Sequence, residues 1–164
     1  MKMKTNLQQK HIISALVDNN PGVVSRISGL FTRRGYNIES FVTCITLSPE
    51  IYHLTISVLS TKEELDLLMR QLGRVMEVIT IFCADDTDCV AREIMLLKVA
   101  ANIDMRSEIV KLSGVLGLKV ASISDTSVIV EASGDEQQLE GVVRTFEPFG
   151  ILEMIRSGTI AMNV

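Results

Sequence analysis

The chain has 164 residues, of which 47% are hydrophobic and 4% aromatic, and it contains no tryptophan. This length allows one medium domain or two small ones, with a core built from Val, Ile, Leu and Met. The net charge of −4 provides no overall field that would attract nucleic acid. No run of 18 apolar residues occurs, so no membrane-spanning helix is expected.

The cysteine pattern favours a reducing compartment. Cys44, Cys83 and Cys89 are odd in number and form no C-x-x-C motif. We interpret them as reduced thiols of a cytoplasmic protein rather than as a disulfide framework or a zinc site. Residues 1–10 lack the apolar core of a signal peptide and are expected to form a loose tail.

Residues 11–84 are predicted to form a β-α-β-β-α-β module, the split βαβ or ferredoxin-like pattern. Residues 52–59 alternate between apolar and polar side chains, which is typical of a half-buried strand. Thr61 and Glu64 have the spacing of a capping box and predict the start of the second helix. The other predicted strands are 11–17, 38–45 and 78–83, and the first helix is expected to end near residue 34.

The same order of elements then repeats, so the chain is predicted to be an α+β protein of two tandem ferredoxin-like modules. Residues 85–91 contain three aspartates and are predicted to be a linker, and 92–164 the second module. Its helices are expected to be capped at Asp104 and Ser133. Each module is near the lower size limit for independent folding, which favours a homodimer or larger assembly.

The residues of common catalytic sites are sparse. His11 and His53 are the only histidines, and neither is expected to lie beside a nucleophile. Cys83 and Cys89 are expected to have no histidine nearby, so no metal site is predicted. The acidic run at 85–88 is interpreted as a solvated linker rather than as a cation site. The central strands also lack the stacked aromatic residues by which such sheets bind RNA.

The strongest functional signal is the turn before the first helix. Pro21 is predicted to occupy the first helical position, where its missing N–H costs nothing, and Asn20 to cap the helix. This would leave the N–H groups of Gly22 and Val23 available to a small carboxylate. The alternative is a plain turn between strand and helix that binds nothing.

An amino acid is a suitable ligand for such a turn. Its carboxylate would meet the helix N–H groups, and its ammonium would meet backbone carbonyls or an asparagine oxygen, since Asn19 precedes the helix and Asn37 begins the next strand. A small apolar pocket would accept a branched side chain.

Three motifs resemble one known family. The run N-N-P-G-V-V-S-R-I-S-G-L-F-T-R-R-G-Y-N-I-E-S, from Asn19 to Ser40, resembles the ACT domain of the small regulatory subunit of acetohydroxyacid (acetolactate) synthase. A-R-E-I-M-L-L-K-V, from Ala91 to Val99, and I-R-S-G, from Ile155 to Gly158, resemble that family's second half. The resemblance covers about residues 11–163.

The resemblance implies a non-catalytic protein with no cofactor of its own. It implies a catalytic large subunit that uses thiamine diphosphate, Mg²⁺ and FAD, and that is activated by this chain. It also implies feedback inhibition by valine or another branched-chain amino acid. Paired ACT domains of two chains would form the effector site, with Asn19, Gly22 and Val23 from one chain and Asn37 and Ile38 from the other.

Two alternatives remain open at this point. A stand-alone amino-acid sensor would share the ACT domain but would have no need of the A-R-E-I-M-L-L-K segment. A small ferredoxin-like enzyme is disfavoured by the sparse catalytic residues. The chain also departs from the family pattern, because Tyr52 and His53 stand where many members carry Ser-Arg. We therefore regard these two residues as a candidate source of an altered contact with the catalytic subunit or an altered effector response.

Overall fold

The computed structural model describes residues 8–85 and 88–164, which form two compact units. One unit contains the chain up to Ala91 together with Gly158–Val164, and the other contains Arg92–Ser157. The predicted division at residue 92 therefore differs in one respect, because the last seven residues belong to the first unit. Residues 1–7 of the predicted tail at 1–10, and Asp86 and Thr87 of the predicted linker, lie outside the described residues. Gln9 and Lys10 of that predicted tail are strand, because β1 begins at Gln9.

The first unit is a four-stranded antiparallel sheet with two helices, in the strand order β2-β3-β1-β4. This is the ferredoxin-like order that the sequence predicts. The elements are β1 (Gln9–Asp18), α1 (Val23–Arg34), β2 (Asn37–Ile45), β3 (Ile51–Ser60), α2 (Lys62–Leu72) and β4 (Val78–Cys83), with β9 (Ile160–Asn163) from the end of the chain.

The second unit repeats this topology, in the strand order β6-β7-β5-β8. Its first strand begins earlier than predicted, so the last part of the predicted linker, from Cys89, is strand. The elements are β5 (Cys89–Ala100), α3 (Ile103–Val115), β6 (Lys119–Ile123), β7 (Ser127–Gly134), α4 (Glu136–Phe146), a 3₁₀ turn (Glu147–Phe149) and β8 (Ile151–Arg156). The duplicated architecture is thus confirmed.

Each unit has its own aliphatic core between its helices and one face of its sheet. Phe31 is the largest fully buried side chain of the first core, and Phe146 holds the same place in the second. The helical spacing of Val24, Ile27, Leu30 and Phe31 predicts that these four residues share the inner face of α1. That prediction was wrong at one position, because Val23 is buried, whereas Val24 is 37% exposed. The reason is that α1 begins two residues later than Pro21 and is rotated accordingly.

The helix caps show where local sequence is informative. The capping box of Thr61 and Glu64 is present as predicted. Asn102 rather than Asp104 caps α3, and Asp135 rather than Ser133 caps α4 in a box with Gln138. In both places several polar residues adjoin the helix start, and strand pairing decides which of them reaches the cap.

The second face of the first sheet is covered by the C-terminal segment, defined as Gly158–Val164. Thr55 and Ser57 were predicted to face solvent from β3, but both are only 1% exposed. The backbone N–H of Ala161 donates to the Thr55 hydroxyl at 3.4 Å. The N–H of Val164 donates to the Asp88 carbonyl at 3.0 Å. This polar sheet face is therefore an internal surface, held by hydrogen bonds to the segment.

Candidate functional site

The predicted helix start exists, but with a different cap. Gly22 is the N-cap of α1, with φ 86° in the left-handed region that favours glycine, and no side chain caps the helix. Asn20 contributes its backbone carbonyl, which accepts the Val23 N–H at 3.2 Å. Pro21 therefore precedes the cap, and the predictions of Pro21 as the first helical residue and of an Asn20 side-chain cap were wrong.

The donors available at this helix start follow from that geometry. The Val23 N–H is already used, and the Val23 side chain is 2% exposed within the core. Within residues 8–85 and 88–164, the N–H groups of Gly22, Val24 and Ser25 have no hydrogen-bond acceptor. The helix start thus keeps a set of backbone donors at the positive end of the helix dipole, although Val23 is not among them.

One of the two polar groups of the Asn19 side-chain amide is already hydrogen-bonded. Its Nδ2 donates to the Pro49 carbonyl at 2.9 Å, and its backbone N–H donates to Glu50 at 2.7 Å. The amide is therefore held in a fixed orientation, with Oδ1 as the atom that can still accept. An acceptor beside free N–H donors is the combination that a zwitterionic amino acid requires.

The remaining predicted site residues lie at the other end of the sheet. Asn37 is opposite Leu59 and Ile38 opposite Val58, whereas Asp18, next to Asn19, is opposite Ile51. Eight residues of β3 separate these two ends, or about 27 Å at the rise of an antiparallel strand. A single chain therefore does not bring the two predicted halves of the site together.

The structure places a serine beside a histidine, which the sequence did not predict. His53 Nε2 lies 2.9 Å from Ser14 Oγ, and the Ser14 hydroxyl donates to the Ala161 carbonyl at 3.2 Å. Because that bond uses the only hydroxyl proton, Ser14 Oγ must act as the acceptor from His53. The neutral His53 ring therefore carries its proton on Nε2. Ser14 is fully buried under the C-terminal segment, so this pair anchors the segment and offers no accessible nucleophile.

His53 gives a pH dependence that can be measured. Desolvation by burial lowers the pKa of His53 below its ordinary value of 6.5. The unfolded chain therefore binds a proton at His53 at a higher pH than the folded chain does. The free energy of unfolding should fall as the pH drops through 6.5 and should level off once the pH is below the lower pKa of the folded state. We expect His53→Gln to reduce this slope in thermal unfolding between pH 7.5 and 5. The same pH dependence in wild type and variant would contradict the assignment.

In the second unit, two of the motifs noted in the sequence meet on adjacent strands. Glu93 on β5 is 6% exposed and lies 3.9 Å from Arg156 on β8, Oε2 to Nη1. Ser157 N–H donates to the Ile94 carbonyl at 2.9 Å, and Ile94 N–H donates to Ser157 Oγ at 3.0 Å. R-E-I-M-L and I-R-S-G are thus two sides of one strand pairing, which is a structural role.

Comparison with known proteins agrees with this arrangement. Residues 13–80 match a family model for the "AHAS small subunit-like ACT domain", and residues 92–164 match "Small subunit of acetolactate synthase". The acetolactate synthase small subunit of Mycobacterium bovis is 37% identical over 93% of this chain and 91% of its own length. The chain belongs to the acetolactate synthase small-subunit family.

Two further relatives extend the match. A probable acetolactate synthase small subunit of Archaeoglobus fulgidus is 35% identical over 93% of this chain and 96% of its own. The crystal structure of the acetolactate synthase small subunit from Thermotoga maritima has a TM-score of 0.80 and 28% identity, covering 95% and 98% of the two chains. Relatives that match both halves support a regulatory subunit with a catalytic partner over a stand-alone sensor.

Within the described residues, no helix is long and apolar enough to cross a membrane.

Proposed function

We propose that this chain activates a thiamine-diphosphate-dependent acetolactate synthase large subunit and makes it sensitive to valine or another branched-chain amino acid. The effector binds between the first units of two copies, in a cytoplasmic enzyme of branched-chain amino-acid biosynthesis. The observation that supports this most directly is the set of unpaired N–H donors at Gly22, Val24 and Ser25 beside the fixed amide of Asn19.

The position of β2 explains how two copies would complete the site. β2 is an edge strand, bonded on one side to β3. An edge strand can pair with the same strand of a second copy, and two-fold symmetry makes that pairing antiparallel. Antiparallel pairing puts the Asn37 end of one β2 beside the Ile45 end of the other. Ile45 is opposite Tyr52, at the same end of the sheet as Asn19.

The chemistry of the completed site then matches an amino acid. The carboxylate would accept from the unpaired N–H groups at the start of α1, where the helix dipole adds to the attraction. Asn19 Oδ1 from the same copy, and the exposed Asn37 of the other, would accept from the ammonium. Ile38 is partly buried against the first core and would present an apolar edge to a branched side chain.

Binding of this kind suits feedback control. An effector affinity near 0.1 mM corresponds to about −5.5 kcal/mol, which is weak enough to follow a metabolite concentration. A coupling free energy of about 1–3 kcal/mol between effector and catalytic subunit would change activity or affinity roughly 5- to 150-fold.

Reconstitution tests the proposal. The purified chain is mixed with its purified cognate large subunit, and acetolactate formed from pyruvate is measured with and without valine. We expect stimulation by the chain and inhibition on adding valine. Stimulation with no response to valine, leucine or isoleucine would contradict the effector site, whereas no stimulation by a verified partner would contradict the subunit role itself.

Asn37→Ala is the first site variant. Loss of one acceptor for the effector ammonium should raise the valine concentration for half-inhibition about 10- to 100-fold, since a hydrogen bond to a charged group contributes about 1.5–3 kcal/mol. Asn163→Ala removes an exposed asparagine from β9 and is the matched control, with no change expected in valine response. Equal valine sensitivity in the two variants would remove Asn37 from the site.

A further inference from the structure

The structure brings together three side chains that are distant in sequence: His11 on β1, Cys83 at the end of β4, and Asp85 just after it. A ring nitrogen of His11, the Cys83 sulfur and a carboxylate oxygen of Asp85 all lie within 4.8 Å of one another. His11 Nδ1 is 2.5 Å from Asp85 Oδ2. We refer to these residues as the His-Cys-Asp cluster, and all three belong to the first unit.

Strand pairing explains why spacing along the chain did not reveal the cluster. Cys83 is opposite Ile13 in the β1–β4 pairing, and the Ala84 N–H donates to the Ile12 carbonyl at 2.8 Å. His11 is two residues before Ile13 and therefore on the same face of the sheet. The sequence prediction that Cys83 has no histidine nearby was wrong for this reason.

The unpaired second nitrogen of His11 is an independent observation. His11 is 5% exposed, and its Nε2 has no hydrogen-bond partner among the described residues. A buried polar atom without a partner is uncommon, so the surrounding protein does not fully satisfy the His11 ring. Nδ1 is the nitrogen beside Asp85 and is therefore the candidate ligand, with the ring proton on Nε2.

We propose that the His-Cys-Asp cluster binds one divalent transition-metal ion, with Zn²⁺ as the preferred ion. Nitrogen, thiolate and carboxylate ligands suit Zn²⁺, which binds them at about 2.0–2.3 Å and in tetrahedral geometry. Thiolate ligation disfavours Mg²⁺ and Ca²⁺, which take oxygen ligands. Three protein ligands leave the fourth position to water.

The cluster has to rearrange only locally to accept the ion. Two tetrahedral zinc ligands lie about 3.3 Å apart, so the contact between His11 and Asp85 must open slightly. Asp85 has 40% of its side chain exposed and can make this movement, whereas His11 and Cys83 are fixed in the core. Cys83 loses its thiol proton to solvent on binding, so the affinity should rise with pH.

A bound ion would link Asp85, just after β4, to His11 on β1. It would therefore stabilise the folded first unit, because the ligands are assembled only in the folded chain. This role is independent of amino-acid binding.

The test uses the full chain without a histidine tag, stripped with EDTA and dialysed. Titration with Zn²⁺ should show one ion per chain, with a higher melting temperature and no competition from Mg²⁺. Co²⁺ should give the charge-transfer absorption of a cobalt–thiolate bond, which reports sulfur ligation in the wild-type protein. Absence of Zn²⁺ binding, or binding of Co²⁺ without the thiolate band, would overturn the proposal.

Variants then identify the ligands. Cys83→Ser and His11→Gln should each lower Zn²⁺ affinity by more than the roughly 10- to 100-fold that follows loss of an outer-shell partner. Cys44→Ser removes a thiol on β2 that is outside the cluster, and it should bind Zn²⁺ as the wild type does. Wild-type affinity in Cys83→Ser would overturn the assignment, and circular dichroism separates loss of binding from loss of fold.

Discussion

Replacing Gly158 with alanine should destabilise the first unit by about 2–5 kcal/mol, the largest effect we expect from a single methyl group in this chain. Gly158 has φ +83°, in the left-handed region where a non-glycine residue costs about 1–2 kcal/mol. A Cβ there would lie 2.7 Å from Val42 Cγ2 and 3.0 Å from Ser40 Cβ. Both neighbours are on β2, so relief of the clash must move the C-terminal segment or the strand.

The position of Gly158 makes the displacement costly. Gly158 is the first residue of the C-terminal segment. In that segment, the Ala161 carbonyl accepts from the Ser14 hydroxyl and the Ala161 N–H donates to the Thr55 hydroxyl. A shift of the segment would weaken these bonds and expose the polar face beneath. Overpacking of this kind costs about 1–3 kcal/mol in addition to the backbone strain. We expect a fall in Tm of roughly 5–20 °C, at about 2–4 °C per kcal/mol for a chain of this length.

Gly29 provides the matched control. It lies within α1 of the same unit, and an added Cβ meets no atom within 4 Å. Gly29→Ala should therefore raise stability by about 1 kcal/mol, since alanine is the better helix former. Denaturant unfolding of both variants measures the difference. Equal stability of the two alanine variants would show that the C-terminal segment is not held as described.

The sequence predicted the first unit well where signals were local. The alternation of residues 52–59 located β3 to within one residue at each end, and the capping box at Thr61 located the start of α2. Composition and repeated order were sufficient to predict two modules of one topology, because each element carries its own period of apolar residues. These features depend on neighbours within a few positions in the chain.

The features that sequence reasoning missed depend on distant partners. β9 is four residues long and pairs with β5, and its Ala161 also bonds to Ser14 and Thr55, more than a hundred residues earlier. No local pattern distinguishes such a strand from a tail. The burial of Thr55 was missed for the same reason, because a polar side chain in an alternating strand ordinarily faces water.

The start of α1, where the effector site is proposed, was predicted from the sequence. The cap was wrongly assigned to the Asn20 side chain, and Val23 was wrong as one of the two donors, whereas Gly22 keeps an unpaired N–H among the described residues. The positive φ of Gly22 that sets this geometry cannot be read from residue type. That Asn37 lies at the opposite end of the sheet follows from the register of β2 with β3. The resemblance to a family supplied the expectation of two chains, and the register gives the geometric reason for it.

Gly22→Ala should weaken the response to valine about 10- to 100-fold while leaving the chain folded. The left-handed φ of 86° directs the Gly22 N–H and sets the entry into α1. An alanine there is strained by about 1–2 kcal/mol, and relaxing the strain turns the N–H groups of the first turn away from the effector carboxylate. Loss of one charge-assisted bond of about 1.5–3 kcal/mol accounts for the expected range.

Gly35→Ala separates this effect from strain alone. Gly35 ends the same helix with φ 70°, and a Cβ at either glycine makes no contact closer than 3.9 Å. The two variants should therefore lose similar stability, measured as Tm without effector. Only Gly22→Ala should raise the valine concentration for half-inhibition of the reconstituted enzyme. If Gly35→Ala reduced the valine response equally, the effector would be sensing the stability of α1, and the donors at its start would have no direct part in binding.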